Sequence, residues 1–203
     1  PQLPVELCEH LLDFVWPDRT TLLSCALVCR AWLPRSRLNL LRQVRLRDST
    51  QAWSLSSFLS RHADCCSSVR VLQISPRYSG WTLTRAFPLL FVGKLSHVEH
   101  IRLENRCGFN FFAQPWSLTT LSQFVYVRKV EIRGYMLPSL HSFGRRGPPN
   151  ITTLICRTIR WSAVDYSPES FRPVSARLKL TIWPCQTSDG MMSWSTCSLT
   201  SSI

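Results

Sequence analysis

The stretch "LLSCALVCRAWLPRSR", Leu22–Arg37, combines two cysteines four residues apart, a tryptophan, and a proline within a basic run. Three interpretations are open: a metal or redox site, a nucleic-acid-binding helix, or the packed middle of a docking module. A structural zinc site needs four Cys or His ligands, and neither Cys25 nor Cys29 has a nearby His or a second thiol pair. The spacing therefore predicts two thiols on one helical face that act as small packing residues.

The residues before this stretch predict the first helix of a unit that covers residues 3–42. Leu7, Leu11 and Phe14 recur at helical spacing and form one apolar stripe. Pro17 stops that helix, because proline lacks the backbone N–H that an interior helical position donates.

Two further helices are predicted in the same unit. Asp18 or Thr20 can cap the second helix, since both side chains accept hydrogen bonds from free backbone N–H groups. Pro34 must break or restart the chain, so a third short helix is predicted from Pro34 to about Arg42. The apolar positions of the second helix are Leu22, Leu23, Ala26, Leu27 and Val28.

After residue 43 the sequence predicts repeated strands with intervening helices. The β-prone pieces are "QVRLRD" (43–48), "VRVLQIS" (69–75), "HVEHIRLEN" (97–105), "VRKVEIRG" (127–134) and, more weakly, "NITTLICR" (150–157) and "RLKLTIW" (177–183). Helix-forming stretches lie between them at 52–66 and 82–96. Equivalent inward positions, at steps of 28, 29, 29 and 24 residues, are Leu46, Ile74, Leu103, Ile132 and Cys156.

One strand and one helix every 24 to 29 residues is typical of a leucine-rich-repeat-like solenoid with a parallel sheet. The alternative is an ordinary α/β domain, which also has parallel strands but no open curved sheet. The predicted organisation is a helical unit over 1–42 and a repeat region over 43–160. Residues 161–203 are expected to form a degenerate repeat, a cap or a poorly ordered tail.

Composition excludes several classes of protein. Hydrophobic residues make up 45% of the chain and charged residues 18%, which is unlike a disordered sequence. The net charge of +12 comes almost entirely from arginines spread along the chain, so a dedicated nucleic-acid surface is not favoured. No apolar run is long enough to span a membrane, and no signal peptide is recognised. The expected location is cytoplasmic or nuclear, with the nine cysteines reduced.

The first 42 residues resemble an F-box. The opening motif of that family stands here as "LPVEL" at 3–7, followed by Leu11-Leu12, and its second motif stands as "LLSCALVCRAW" at 22–32. The separation of the two motifs and the following 34–37 segment agree with the family. The whole chain looks like the fungal group of F-box proteins in which the motif runs into irregular leucine-rich repeats.

This resemblance implies a three-helix F-box that binds a Skp-type adaptor. Through the adaptor the chain would join a cullin–RING ubiquitin ligase as its substrate-recognition subunit, without catalysis of its own. Phe14 and Cys25 are expected to point inward. The adaptor-facing residues implied by the resemblance are Leu3, Pro4, Leu7, Leu11, Leu23, Leu27, Val28 and Trp32. The same residues could instead pack against the first repeat.

No catalytic, cofactor or metal site is predicted. The sequence has no G-x-S-x-G, H-E-x-x-H, P-loop or G-x-G-x-x-G pattern, and its low content of seven glycines argues against a phosphate-cradling loop. His62 with Cys65 and Cys66, and His97 with His100, are weak patterns that lack further ligands.

Strand alternation predicts a basic sheet face that selects the protein substrate. Arginine side chains suit carboxylates and phosphates, so an acidic or phosphorylated segment is the expected ligand. A solvated sheet face without a selective role is the alternative. The candidate substrate-binding residues are Arg45, Arg47, Arg70, Arg102, Glu104, Arg128, Glu131 and Arg133.

Two other functions remain open from the sequence. A basic nucleic-acid-associated scaffold would bind with strong salt dependence. A truncated, non-functional member of the F-box family would hold too few intact repeats to select a substrate.

Overall fold

The computed structural model describes residues 4–76, 81–105, 121–137, 147–161 and 179–183. Helices and a parallel sheet together make an α/β fold, in agreement with the fold class expected from the sequence. Leu3 lies outside the described residues, as do the parts of the predicted tail at 162–178 and 184–203.

Three helices precede the sheet: α1 (Val5–Val15), α2 (Arg19–Val28) and α3 (Leu33–Arg42). Asp18 caps α2, because its Oδ1 accepts hydrogen bonds from the backbone N–H of Thr20 at 3.0 Å and of Thr21 at 3.3 Å. Pro34 lies in the first turn of α3, where its missing N–H is not needed. The three helices thus begin and end close to the predicted residues.

The main sheet has six parallel strands whose spatial order is their order in the chain. A separate two-stranded parallel pair joins β5 (Met136–Leu137) to β7 (Arg160–Trp161). The strands of the main sheet are β1 (Gln43–Leu46), β2 (Val71–Ile74), β3 (His100–Glu104), β4 (Lys129–Arg133), β6 (Thr153–Arg157) and β8 (Lys179–Trp183).

The register of the sheet confirms the equivalent inward positions predicted from the repeat. The row of mutual partners is Leu46, Ile74, Leu103, Ile132 and Cys156. All five are buried. Ile182 of β8 pairs with Cys156, so the sheet continues beyond residue 160 into the segment that was expected to be a degenerate repeat, cap or tail.

The core lies on the face of the sheet that these positions share. Helices α4 (Ser49–Arg61) and α5 (Trp81–Phe91) pack against each other, and their side chains join the same buried cluster as the strands. The helical members of this cluster are Ala52, Leu59, Leu83, Phe87 and Phe91.

Both intervening helices are displaced from the predicted ranges 52–66 and 82–96. Asp48 caps α4 by accepting a hydrogen bond from Gln51 N–H at 2.8 Å, so α4 begins earlier than predicted. The end of the first stretch is a 3-10 helix, Ala63–Ser68, instead of a continuation of α4. In the second stretch α5 ends at Phe91, and Gly93 follows with a φ of +73°.

Candidate functional site

Helices α1 and α2 expose large apolar side chains to solvent. Leu27 is 87% exposed and Phe14 is 79% exposed, although the surface helices of globular proteins usually turn such residues toward the core. We call this set the apolar helical face; its members are Leu7, Leu11, Phe14, Leu23, Leu27 and Val28. Val5 is also exposed, but it lies on the Leu12 side of α1.

The orientation of α1 decides which of its residues are exposed. Leu12 is the buried residue of this helix, and it lies about 130° around the helix from the stripe formed by Leu7, Leu11 and Phe14. The stripe therefore faces away from the packed side. The expectation that Phe14 points inward was wrong; its ring instead meets the edge of His10, with 5.6 Å between ring centroids.

Helix α2 separates buried and exposed apolar residues in the same way. Leu22 and Cys25 are buried, three residues apart on the packed side, and Cys25 is inward as predicted. Leu23 and Leu27, four residues apart, lie on the outer side. Cys29 follows the end of the helix in an extended conformation and is exposed, so the interpretation of Cys29 as a helix-packing thiol was wrong.

A polar network fixes α1 against α3. The buried Asn39 amide donates to the carbonyl oxygen of Leu12 at 3.0 Å and to Asp13 Oδ1 at 2.9 Å. Arg35 Nε donates to the same carboxylate at 2.8 Å, and a second Arg35 nitrogen binds its other oxygen. The Arg35 hydrogen bond lowers the pKa of Asp13 to about 2. This network sets the orientation in which the α1 stripe is exposed.

The residues implied by the F-box resemblance are distributed unequally. Pro4 is exposed and Trp32 is half-buried, while Leu3 lies outside the described residues. The other five belong to the apolar helical face: Leu7, Leu11, Leu23, Leu27 and Val28. Phe14 is an additional member that was expected to point inward, although helical spacing placed it in the same stripe as Leu7 and Leu11.

The second candidate surface is the other face of the sheet, which carries charged residues. Arg45, Gln73, Arg102 and Glu131 are successive partners across β1 to β4. A parallel row contains Glu104, Arg133 and Arg157. Side chains two residues apart on a strand share a face, so both rows lie on the same side. The charged sheet face is defined by Arg45, Gln73, His100, Arg102, Glu104, Lys129, Glu131, Arg133 and Arg157.

Glu104 lies between two arginines from different strands. Its Oε2 is 3.9 Å from Arg45 Nη2 and accepts a hydrogen bond from Gln73 Nε2 at 3.1 Å. Its Oε1 is 3.8 Å from Arg133 Nη1. The Glu104 side chain is only 14% exposed, so this carboxylate lies lower in the face than the arginines that surround it.

Glu131 repeats this arrangement one strand further along. Its oxygens lie 3.5 Å from Arg102 Nε and 3.5 Å from Arg157 Nε, and its side chain is 19% exposed. The four arginine side chains on the face are between 35% and 56% exposed. Each glutamate thus joins arginines from two strands and holds their charged ends near the surface.

His100 is neutral at neutral pH. Its Nε2 accepts a hydrogen bond from Arg102 Nε at 3.3 Å, which requires that nitrogen to be unprotonated. Burial, with Arg102 and Lys129 close by, lowers the pKa of His100 to about 4. The 3.8 Å separation between His100 Nε2 and Glu131 Oε2 is therefore not an ion pair at neutral pH.

Three predicted substrate residues lie away from this face. Arg47 follows the end of β1, and its backbone N–H donates to the side chain of Gln51. Arg70 and Arg128 precede β2 and β4 at the opposite end of the strands; the Arg70 side chain pairs with Glu99 at 2.8 Å. Strand alternation does not apply to residues outside the strands, which explains these differences.

Four residues of the charged sheet face were not among the predicted substrate residues: Gln73, His100, Lys129 and Arg157. The predicted equivalence of Ile132 and Cys156 was the signal that could have identified Arg157, because it places Arg157 beside Arg133. The remaining predicted residues, Arg45, Arg102, Glu104, Glu131 and Arg133, do come together.

The Cys65–Cys66 pair, which the sequence grouped with His62, has raised thiol pKa values. Burial raises the pKa of the Cys66 thiol, and burial with the neighbouring Asp64 raises the pKa of Cys65, so both resist forming the reactive thiolate. Within the described ranges, no three residues among His, Cys, Asp and Glu are grouped so that they could hold a metal ion.

The sequence matches no protein-family model and no curated protein. In the part of the chain that the structure describes, no helix is both long and apolar enough to cross a membrane.

Proposed function

We propose that this chain is a substrate-receptor subunit of a Skp–cullin–F-box type ubiquitin ligase. In this proposal the three N-terminal helices form an F-box that binds a Skp-type adaptor, and the sheet region binds a protein substrate. The ubiquitin transfer chemistry belongs to the cullin and RING partners.

The observation that carries the proposal is the apolar helical face. All of its residues except Phe14 lie in the two motifs by which the sequence resembles an F-box, and they are exposed on helices that pack against each other. Exposed apolar side chains grouped on a soluble protein mark an interaction surface. Helices that present apolar residues at i, i+3, i+4 and i+7 commonly dock into a groove of a partner.

The sheet supports the second half of the proposal, a leucine-rich-repeat-like solenoid. Its strands follow one another in chain order, whereas a doubly wound α/β domain reverses its strand order and covers both sheet faces with helices. Here one face carries the apolar core and the other carries partly exposed arginines. A one-directional stack of strands with an open face suits recognition of an extended ligand.

The adaptor interaction is tested by a pull-down of the chain with a purified Skp-type adaptor. Wild type should bind, and Leu7→Asp and Leu27→Asp should each abolish binding, because a carboxylate at either position would be buried without a partner. Leu89→Asp is the matched control, since Leu89 is 70% exposed on α5, outside the apolar helical face. Retained binding in both test variants would contradict the proposed interface.

A further inference from the structure

The charged sheet face combines four arginines and Lys129 with two glutamates that lie among the arginines. Glu104 lies between Arg45 and Arg133, and Glu131 lies between Arg102 and Arg157. The face therefore remains net positive, but its positive charge is divided by fixed carboxylates. This pattern differs from the uninterrupted basic stripe that typically binds nucleic acid.

We propose that the charged sheet face binds a short acidic protein segment, and that Glu104 and Glu131 make it reject nucleic acid. The identification of this segment as a ubiquitylation substrate rests on the proposed function. The binding preference itself does not depend on the adaptor, because it arises entirely from residues of the sheet.

The distribution of charge favours a peptide. Strands in a sheet are about 4.8 Å apart, so the path from Arg45 on β1 to Arg157 on β6 spans about 19 Å. A nucleic acid carries a phosphate on every nucleotide, and a strand that follows this path must bring phosphates close to both glutamates. A peptide can place anionic side chains beside arginines and neutral residues beside the glutamates.

The burial of the two glutamates strengthens this selectivity. Each glutamate is less than one-fifth exposed, so its carboxylate is screened by solvent less than a surface charge would be. Contacts with arginines from two strands also fix its position, so it cannot move away from an approaching phosphate. Specificity of this kind arises from repulsion of the wrong ligand as well as attraction of the right one.

The anionic groups of the peptide are carboxylates or phosphoserines, since arginine binds both. The experiment measures fluorescence anisotropy of the full-length chain with three labelled probes: a glutamate–serine repeat peptide, a phosphoserine peptide and a thymidine oligonucleotide, all of the same net charge. Wild type is expected to bind at least one peptide about tenfold more tightly than the oligonucleotide. Whichever peptide binds more tightly identifies the preferred anion, and either result supports the proposal.

Two pairs of substitutions test the roles of the residues. Arg102→Ala with Arg133→Ala should weaken peptide binding at least about tenfold, while Arg61→Ala, on α4, should not. Glu104→Gln with Glu131→Gln should strengthen oligonucleotide binding about tenfold and peptide binding much less, so that the preference disappears.

The proposal is overturned if wild type binds the oligonucleotide as tightly as the peptides, or if no peptide binds. It is also overturned if the glutamine variant keeps the wild-type preference. Glu131→Gln alone, which should reduce the preference partially, replaces the double variant if circular dichroism shows that the latter is unfolded. Leu27→Asp should bind the peptides like wild type, so failure of adaptor binding and failure of this proposal are distinguishable.

Discussion

Leu22 and Leu23 are neighbours on α2, and they should separate folding from docking. Leu22 is 1% exposed and packs in the interior of the helical unit, whereas Leu23 is 48% exposed on the apolar helical face. The same change, leucine to alanine, therefore removes core packing at one residue and surface area at the next.

The two substitutions should have unequal energetic costs. For Leu22→Ala, loss of buried methyl and methylene groups together with the resulting cavity should lower the free energy of unfolding by about 3 kcal/mol. For Leu23→Ala, about half of the side chain is already in water, so the loss should be about 1 kcal/mol or less. In contrast, Leu23→Ala should weaken adaptor binding about tenfold, since it removes part of the proposed interface.

Urea denaturation followed by circular dichroism measures the first difference, and titration with the Skp-type adaptor measures the second. The adaptor titrations of both variants are made at a temperature where Leu22→Ala remains folded. Under these conditions Leu22→Ala should bind the adaptor like wild type. The reasoning is refuted if Leu23→Ala is as destabilising as Leu22→Ala, because Leu23 would then be a core residue. Unchanged adaptor binding by Leu23→Ala would also contradict it.

Two further predictions concern stability. Gly134→Ala should lower the free energy of unfolding by about 3 kcal/mol or more, because the φ of Gly134 is +73° and a Cβ would overlap the backbone oxygen of Asn105. Gly93 has the same φ but open surroundings, so Gly93→Ala should lower the free energy of unfolding by only about 1 kcal/mol. Equal melting temperatures of the two variants would contradict this difference. His100 has a pKa of about 4 in the fold, so between pH 6.5 and 4 the unfolded chain binds a proton that the folded chain does not. The free energy of unfolding should therefore decrease as the pH is lowered through this window, and His100→Gln should remove that part of the pH dependence in urea titrations. Asp13 contributes stability above pH 3.8 that is lost as pH falls toward 2, and a profile that Asp13→Asn leaves unchanged would contradict the role of its network.

The register of the sheet could be predicted because two independent periods coincide. Apolar residues alternate within each strand, and the strands recur at nearly constant separation, so Ile74, Leu103 and Ile132 had only one consistent alignment. The capping residue Asp18 was predictable for a similar reason, since its chemistry is local.

The features that were not predictable depend on tertiary packing. Helical spacing identified the stripe that contains Phe14 but could not show whether the chain itself covers that stripe; the Asn39 and Arg35 contacts decide this. The grouping of arginines around Glu104 and Glu131 likewise requires the register of several strands at once. Alternation within one strand indicates only which side a residue faces.

The most direct measurement is isothermal titration of the purified chain with a Skp-type adaptor. The account predicts saturable binding for wild type and for Leu89→Asp, and no measurable heat for Leu27→Asp. Binding by Leu27→Asp with the wild-type affinity, or no binding by wild type, would contradict the claim that the apolar helical face is an adaptor-docking surface.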